Sequence, residues 1–344
     1  MLKYVYLLLG MGIVVGSIYL FLQKPAPPKY VNLIPDSKKI ESLSEQTKIL
    51  FVGDIMLDRS IRKVINEKGL DYIFNEVKPI FLNVDFAIGN LEGAVTDNES
   101  ISIKNYKILR FTFATSTLTS LKELGFDGFN LANNHTLDFY QSGFDETINN
   151  LNNAELFSFG HPLNNQNLSS SKEIGKEKLC FVGYHSLYES DTTAVLSEIR
   201  MLKFNCTFIT VSAHWGVEYE AYESADQQLQ ARSFVDAGAD LVIGHHPHVI
   251  QPIEVYKGKA IFYSLGNFVF DQDFSLATRQ GIAVRAILEE ENITYKIIPI
   301  EMFKGKLYYP TEENIDSILL LLNSKLNIDQ QNQINSNKEI IINR

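Results

Sequence analysis

The chain has 344 residues, of which 45% are hydrophobic and 11% aromatic, so it can bury a large core in one main domain. Its 41 acidic and 31 basic side chains give a net charge of -10. That is the wrong sign for a protein that holds nucleic acid through its phosphates. Nucleic acid is therefore excluded as a partner, and an anionic substrate would need a local source of positive charge.

The first predicted element is an uncharged apolar segment at residues 4–22. As a helix it would span roughly 28 Å, close to the thickness of the bilayer's hydrocarbon layer. A cleavable signal peptide is the alternative, but its apolar core is usually shorter, and no small-x-small cleavage site precedes Gln23. We therefore expect a single-pass transmembrane anchor at 1–23 and a polar, proline-containing spacer at 24–47. Lysines flank the anchor on both sides, so charge does not decide its orientation.

Beyond the spacer, short apolar runs alternate with helical patterns, which predicts a layered α/β fold for residues 48–326. The best-marked helix follows Tyr222, because Ser224 and Gln227 can form a capping box at its start. A tail rich in asparagine, glutamine and lysine, at 327–344, is expected to be disordered. Strands are predicted at 49–52, 86–88, 129–131, 179–182, 208–211, 241–243, 261–263, 281–288 and 293–299, and a late helix at 311–326.

The chain contains two cysteines, Cys180 and Cys206, each beside or within an apolar strand-like run. Their spacing is not typical of a metal site. Two buried thiols are the favoured interpretation over a disulfide, and the compartment stays open on this ground.

Polar residues with potential ligand atoms follow nearly every predicted strand. In an open α/β sheet the carboxyl ends of the strands form the crevice where ligands bind, so we expect these clusters to converge there. Three imidazoles within four residues, His245, His246 and His248, are typical of a metal-facing loop. The clusters occupy residues 53–59, 89–93, 132–135, 212–216, 244–248 and 266–268.

Each cluster taken alone also has a structural interpretation. Asp54 could cap a helix, Asn90 could be a turn residue, and an isolated His214 could be a core histidine. For His161 and His185, which lack such neighbours, the structural interpretation is preferred. Taken together, imidazole, carboxylate and amide ligands favour one or two ions of Mn, Zn or Fe over calcium. Such an ion would also supply the missing positive charge.

Six motifs in this order resemble the CapA family of poly-γ-glutamate capsule proteins over residues 49–271. They are Gly-Asp-x-Met-Leu at 53–57, Gly-Asn-Leu-Glu-Gly at 89–93, Ala-Asn-Asn-His-Thr-Leu-Asp at 132–138, His-Trp-Gly at 214–216, Gly-His-His-Pro-His at 244–248 and Ser-Leu-Gly-Asn-Phe at 264–268. That family is similar to calcineurin-like metallophosphatases. The resemblance implies a two-sheet sandwich flanked by helices, with metals at the strand ends.

The resemblance also implies roles for individual residues. Met56 stands where the wider phosphatase pattern has a histidine, and Asn90 where it has a bridging aspartate, so Glu92 is expected to compensate. His135 would be the general acid. Arg59, His245 and Asn267 are assigned to substrate binding. The expected metal ligands are Asp54, Asn90, Glu92, Asn134, His214, His246 and His248.

The function expected from these features is poly-γ-glutamate capsule synthesis, export or anchoring by a protein of the cell membrane with an extracytoplasmic domain. Its expected partners are the membrane, the anionic polymer and the synthase subunits, an amide ligase and a small membrane subunit. Two alternatives stay open. One is a metal-dependent phosphoesterase unrelated to capsule, and the other is a non-catalytic scaffold that binds polymer.

Overall fold

The computed structural model describes residues 46–188 and 190–344. The predicted anchor at 1–23 and nearly all of the spacer at 24–47 lie outside the described residues. Among the helices that are described, none combines the length and the apolar character that crossing a bilayer requires.

The larger sheet has nine strands and is built around β1 (Thr47–Ile55). β1 runs parallel to β2 (Phe86–Leu91) on one side and antiparallel to β14 (Gln280–Leu288) on the other. Near its end β1 also pairs with β13 (Asn267–Val269), and this pairing sets Asp54 opposite Asn267. The strand order is β16 (Lys306–Tyr308), β15 (Asn292–Phe303), β14, β1, β2, β5 (Gly128–Asn130) and β6 (Phe157–Phe159), with β17 (Glu339–Asn343) also paired to β15.

The second sheet has six strands. Four of them run parallel, so their carboxyl ends lie at one edge. A short ribbon of β3 (Ala94–Val95) and β4 (Thr112–Phe113) stands apart from both sheets. The order of the second sheet is β11 (Ile253–Tyr256), β12 (Lys259–Phe262), β10 (Leu241–His245), β9 (Phe208–His214), β8 (Glu177–His185) and β7 (Ser169–Ile174).

The two sheets pack face to face, and alternate residues of β1 show why. Ile49 and Phe51 belong to the apolar layer between the sheets, whereas Leu50 and Val52 belong to the outer layer. This follows from the two-residue period of a strand. Across the inner layer the rings of Phe86 and Phe181 stack with centroids 5.5 Å apart. The predicted two-sheet α/β architecture is confirmed.

Helices cover the outer faces of both sheets. α1, α2, α3 and α4 contribute to the apolar layer on the larger sheet, and α5 and α6 to the layer on the smaller one. The capping box of Ser224 and Gln227 at the start of α6 forms as predicted. The helices are α1 (Arg59–Lys68), α2 (Asp71–Phe74), α3 (Ser116–Leu124), α4 (Tyr140–Asn153), α5 (Thr193–Leu202), α6 (Ala225–Ala237), α7 (Leu276–Arg279), α8 (Glu312–Leu322) and α9 (Ile328–Asn337), with 3-10 turns at Lys78–Phe81 and Asn323–Lys325.

The expectation of a disordered tail at 327–344 is wrong. Asn327 and Gln330 form a second capping box that starts α9. After α9 the chain turns into β17, which pairs antiparallel with β15. The prediction from polar composition gave too little weight to three isoleucines. The side chains of Ile334, Ile340 and Ile342 are buried in the layer between the sheets. Their burial explains why this segment is ordered.

The preference for two free thiols is also wrong. Cys180 lies in β8, and Cys206 lies just before β9, the parallel neighbour of β8. Because Cys180 is the register partner of Ile209, the segment preceding β9 comes within reach of it. The two cysteines form a disulfide, with their Cα atoms 6.0 Å apart.

Candidate metal centre

The predicted clusters converge where the carboxyl ends of the two sheets meet. Asp54 of β1 is the register partner of Asn90 of β2. In the other sheet, His214 ends β9 and His245 ends β10, and these two residues are also register partners. Glu92 directly follows β2. All five residues are almost completely buried, so the site is an internal cluster of polar groups.

Two glycines allow the strands to approach closely enough to form this cluster. A Cβ atom on Gly53 would lie 1.9 Å from the carbonyl oxygen of Gly266, and one on Gly244 would lie 1.8 Å from that of Tyr263. Both distances are well inside van der Waals contact, so only glycine fits. Each glycine immediately precedes a site residue, which explains the Gly-Asp and Gly-His pairs of the sequence.

Asp54, Glu92 and His214 form an inner group. One potential ligand atom from each lies within 4.8 Å of the others. None of the three side chains is exposed to solvent, and Oε1 of Glu92 has no hydrogen-bond partner, with Nε2 of His248 3.7 Å away. A buried, unpartnered carboxylate oxygen is costly unless a proton or a cation satisfies it. The donor set and this orphaned oxygen therefore fit a divalent metal ion.

Glu218, His246 and His248 form an outer group with the same spacing of potential ligand atoms. Here too a buried atom, Nδ1 of His246, lacks a hydrogen-bond partner. The backbone is unusual at both histidines, with φ of 96° at His246 and 57° at His248. Positive φ is uncommon outside glycine; it occurs in turns and is also frequent at ligand-binding sites.

The buried ionisable groups of the site change one another's pKa values. Burial alone would raise the pKa of Asp54, but the His245 and His248 imidazoles at 3.3 Å hold it well below its usual range. Burial, together with the Asp54 charge, raises the pKa of Glu92. Burial would lower the pKa of His248, but Glu92 and Asp54 raise it to about 9.

The pKa values of His214 and His246, the other histidines of the two ligand groups, are lowered. Burial and the neighbouring His246 lower the pKa of His214. Burial and the neighbouring His248 lower the pKa of His246 to about 3. Neutral imidazole is the form that binds metal ions, so His214 and His246 are available as ligands at neutral pH, whereas His248 would release a proton when a metal ion binds to it.

Asn134 and Asn90 occupy different positions around His214. Oδ1 of Asn134 lies 2.8 Å from Nε2 of His214, at the edge of the cluster. Asn90 turns its Nδ2 toward Asp54 at 2.8 Å, because its Oδ1 accepts hydrogen bonds from Asn130 and Asn133. In this orientation Asn90 presents N–H groups to the cluster, so it positions Asp54 rather than offering a ligand atom.

Met56 stands at the position where the wider pattern has a histidine. Its side chain does not offer the cluster a ligand atom in place of that histidine. Its side chain is fully buried in the outer apolar layer, and its sulfur accepts a hydrogen bond from the backbone of Asp58. The site is therefore built without that histidine.

His135 lies outside both groups of potential ligands. Its Nδ1 is 2.9 Å from the carboxylate of Asp138, and its ring lies against Phe111 with centroids 4.3 Å apart. The side chain also lines a cavity of about 200 Å³ that is shared with Glu218 and His248. His135 is thus held by a carboxylate beside the site, a geometry that suits the predicted proton donor.

The three residues assigned to substrate binding differ in whether they line the cavity. Arg59 lines the cavity, where it pairs with Asp271 and its guanidinium lies 5.0 Å from the centre of the Phe111 ring. His245 is buried against Asp54. Asn267 is buried behind His248, with Oδ1 3.0 Å from Nδ1 of that ring. Only Arg59 of the three borders the cavity.

Two residues near the cluster escaped the sequence analysis. Glu218 was missed because a single glutamate in a loop carries no pattern, although it follows His214 by four residues. His185 was assigned a structural role, and its Nδ1 does contact the carbonyl of Pro162 at 2.8 Å. However, it is the register partner of His214, with ring centroids 5.7 Å apart, so it borders the centre. His161 contacts Gln166 and Leu163, in keeping with its structural interpretation.

Known proteins resemble this chain over most of its length. A Bacillus subtilis protein described as PGA biosynthesis protein CapA is 33% identical over 78% of this chain and 76% of its own. A Bacillus anthracis protein described as capsule biosynthesis protein CapA is 30% identical over 76% of this chain and 69% of its own. Among solved structures, a phosphatase from Mycoplasma pneumoniae aligns at 17% identity over 77% of this chain and 92% of its own, with a TM-score of 0.45. The model of the family described as bacterial capsule synthesis protein PGA_cap matches residues 48–272, and the chain belongs to that family.

Proposed function

We propose that the protein acts in the synthesis, export or anchoring of a poly-γ-glutamate capsule, through a divalent-metal centre at the strand ends. Family membership supports the capsule role. The single observation that carries the metal-dependent part is the buried group of Asp54, Glu92 and His214, with its unsatisfied carboxylate oxygen. Mn, Zn and Fe are the ions whose ligand preferences suit this group.

A bound ion would supply a Lewis acid that polarises an acyl or phosphoryl oxygen and lowers the pKa of water. The chain's own residues would do the rest. Asp54 is the carboxylate that stays ionised in this site, because the neighbouring imidazoles lower its pKa despite burial. Arg59 would orient an anionic group of the substrate in the cavity, and His135, held by Asp138, would deliver a proton to the leaving group.

We also propose that the domain lies outside the cytoplasmic membrane, held by an anchor at residues 1–23. The Cys180–Cys206 disulfide supports this location, because disulfides persist in oxidising compartments and are rare in the cytosol. In that location the domain would meet the anionic polymer and the membrane-bound synthase subunits, the proposed partners.

The capsule role is tested by deleting the gene in the organism that encodes it and measuring cell-bound and released poly-γ-glutamate. We expect the polymer to fall in the deletion strain, to return with the wild-type gene, and not to return with His214→Ala. Matched levels of the two proteins on an immunoblot provide the control. Unchanged polymer in the deletion strain would rule out the capsule role.

A phosphoesterase unrelated to capsule is the second candidate, favoured by the combination of buried metal-type ligands with a carboxylate-held histidine beside them. Purified protein loaded with Mn²⁺ or Zn²⁺ would be assayed against generic phosphoesters. Turnover that disappears in His246→Ala, together with normal capsule in the deletion strain, would favour this candidate.

A further inference from the structure

The loop after β9 carries Glu218 to the two histidines of the outer group, and main-chain hydrogen bonds fix its position. The N–H of Tyr219 donates to the carbonyl of Pro247 at 2.8 Å, and the N–H of Trp215 donates to that of His245 at 3.2 Å. These bonds lie on either side of Glu218 in sequence, and they join its loop to the loop of His246 and His248. These main-chain bonds fix the backbone of Glu218 beside the loop of His246 and His248, and one of its carboxylate oxygens lies within 4.8 Å of their ring nitrogens.

Gly216 provides the bend that this placement needs. Its φ is +83°, in the left-handed region, and a Cβ atom there would lie 2.7 Å from Oε1 of Gln227. The chain bends at Gly216, and a turn follows in which the N–H of Glu220 donates to the carbonyl of Val217 at 3.4 Å. Among the residues that the structure describes, no lysine or arginine forms a salt bridge with Glu218, although a carboxylate oxygen of Glu218 lies close to ring nitrogens of the buried His246 and His248.

The outer group shares no residue with the inner group, and the two differ in access to solvent. Asp54, Glu92 and His214 are 0% exposed, whereas the side chain of Glu218 is exposed and lines the cavity with His248. Protein metal sites that react keep a position open to water or substrate, and closed sites do not. The inner group has the closed character and the outer group the open one.

We propose that Glu218 completes a second, solvent-facing cation position with His246 and His248, and that this ion exchanges readily while the ion of the inner group is retained. This inference rests on the proposed metal centre. It adds a ligand outside the six motifs, Glu218, for the ion that faces the cavity and that an anionic substrate would meet. Glu218 also supplies a carboxylate to a site in which Asn90 stands where a bridging aspartate is expected.

The test is a calorimetric titration of the full-length, chelator-stripped protein with MnCl₂, combined with elemental analysis after desalting. For the wild type we expect a tight and a weaker binding event, of which only the tight ion survives desalting. Glu218→Gln is expected to weaken the second event by at least about tenfold and to leave the first unchanged. Glu220→Gln, two residues along the same exposed loop, is the matched control and should behave as the wild type.

Each other outcome contradicts the proposal. Two unchanged events in Glu218→Gln would show that Glu218 is not a ligand. A single wild-type event, whether or not Glu218→Gln removes it, would show that there are no two separate positions. If Glu220→Gln weakened the second binding event as much as Glu218→Gln, the effect would come from the total charge of the loop and not from a ligand. All of these results leave the capsule role standing, because polymer output in the deletion strain tests that role separately.

Discussion

Nδ2 of Asn90 lies 2.8 Å from Oδ1 of Asp54, at the point where β1 and β2 place these two residues side by side. Asn130 and Asn133 donate to the oxygen of Asn90 and so fix its amide orientation. The amide therefore adds a hydrogen bond to the ionised form of Asp54, which the His245 and His248 imidazoles also stabilise. A carboxylate at position 90 would instead repel Asp54 and would depend on a bound ion.

Asn90→Asp is accordingly expected to destabilise the metal-free protein and to increase its dependence on metal. Placing a second carboxylate against the buried Asp54 should lower the free energy of unfolding by about 3 kcal/mol in the presence of chelator. Thermal unfolding with EDTA and with Mn²⁺ measures both effects. Asn90→Ser, which removes the hydrogen bond without adding charge, is the control. An Mn²⁺-induced rise in Tm no larger than that of the wild type would contradict the prediction.

His135→Ala and His248→Ala should separate proton transfer from metal binding. His135 contacts Asp138 and not the potential ligands, so its loss should abolish poly-γ-glutamate output while metal content stays near normal. A general acid contributes about 10²- to 10⁴-fold in rate. His248→Ala should lower metal content, since it removes a ligand. Elemental analysis, Tm and polymer output are measured for both variants. Normal polymer with a lowered Tm in His135→Ala would instead mean that His135 only ties its loop to Asp138.

The Cys180–Cys206 disulfide and the proposed location outside the cytoplasmic membrane predict that protein recovered from cells has no titratable thiol when denatured. The cysteines are 26 positions apart, and closing a loop of that length contributes about 3.5 kcal/mol in the chain-entropy account. The double variant Cys180→Ser, Cys206→Ser should therefore unfold at a lower temperature than the oxidised wild type. Wild-type protein reduced before denaturation is the control. Free thiols in the unreduced protein would contradict both the bond and the oxidising compartment.

Glu177 and Arg344 connect β8 to the end of the chain, with Nη1 2.7 Å from Oε1. Burial would raise the pKa of Glu177, but the Arg344 guanidinium outweighs it and lowers the pKa below its ordinary value of 4.5. A lowered folded-state pKa stabilises the protein above pH 4.5, and this contribution is lost as the pH falls through the folded value. Glu177→Gln should therefore cost about 1 kcal/mol at pH 7, because the pair is partly screened.

Denaturant unfolding of wild type and Glu177→Gln from pH 7 downward checks this pH dependence. The two stability curves should converge in acid, below the ordinary pKa of glutamate. A difference that stays constant across the range would show that the pair contributes no charge-dependent stability. Glu173→Gln, an exposed position on the neighbouring β7, is the control and should match the wild type throughout.

The sequence predicted the convergence of the site because it depends on position alone: ligand-type residues follow apolar runs, and parallel strands end at one edge. Asp54, His214 and His246 come together for this reason. The part played by Asn90 was not predictable, because it depends on which way an amide turns. Glu218 was not predictable either, since its approach depends on a bend at Gly216 with positive φ and on hydrogen bonds between two loops.

The two fold-level errors have a common physical origin. The order of the tail and the pairing of the cysteines both depend on contacts with strands distant in sequence or on strand register. Ile340 and Ile342 find their partners on β15, and Cys206 finds Cys180 through the pairing of β8 with β9. Local composition does not show contacts with distant strands. The polar tail was therefore predicted to be disordered, and the two cysteines to be free, from the residues immediately around them.

The most direct measurement of the central claim is anomalous X-ray diffraction from crystals of the protein soaked in Mn²⁺, with data collected to reveal the position of the metal. The account predicts an anomalous peak in contact with Asp54, Glu92 and His214, and its loss in crystals of His214→Ala grown and soaked in the same way. Protein crystals that show no peak at this group, or manganese bound only at acidic residues of the surface, would contradict the claim that the strand ends form a metal centre.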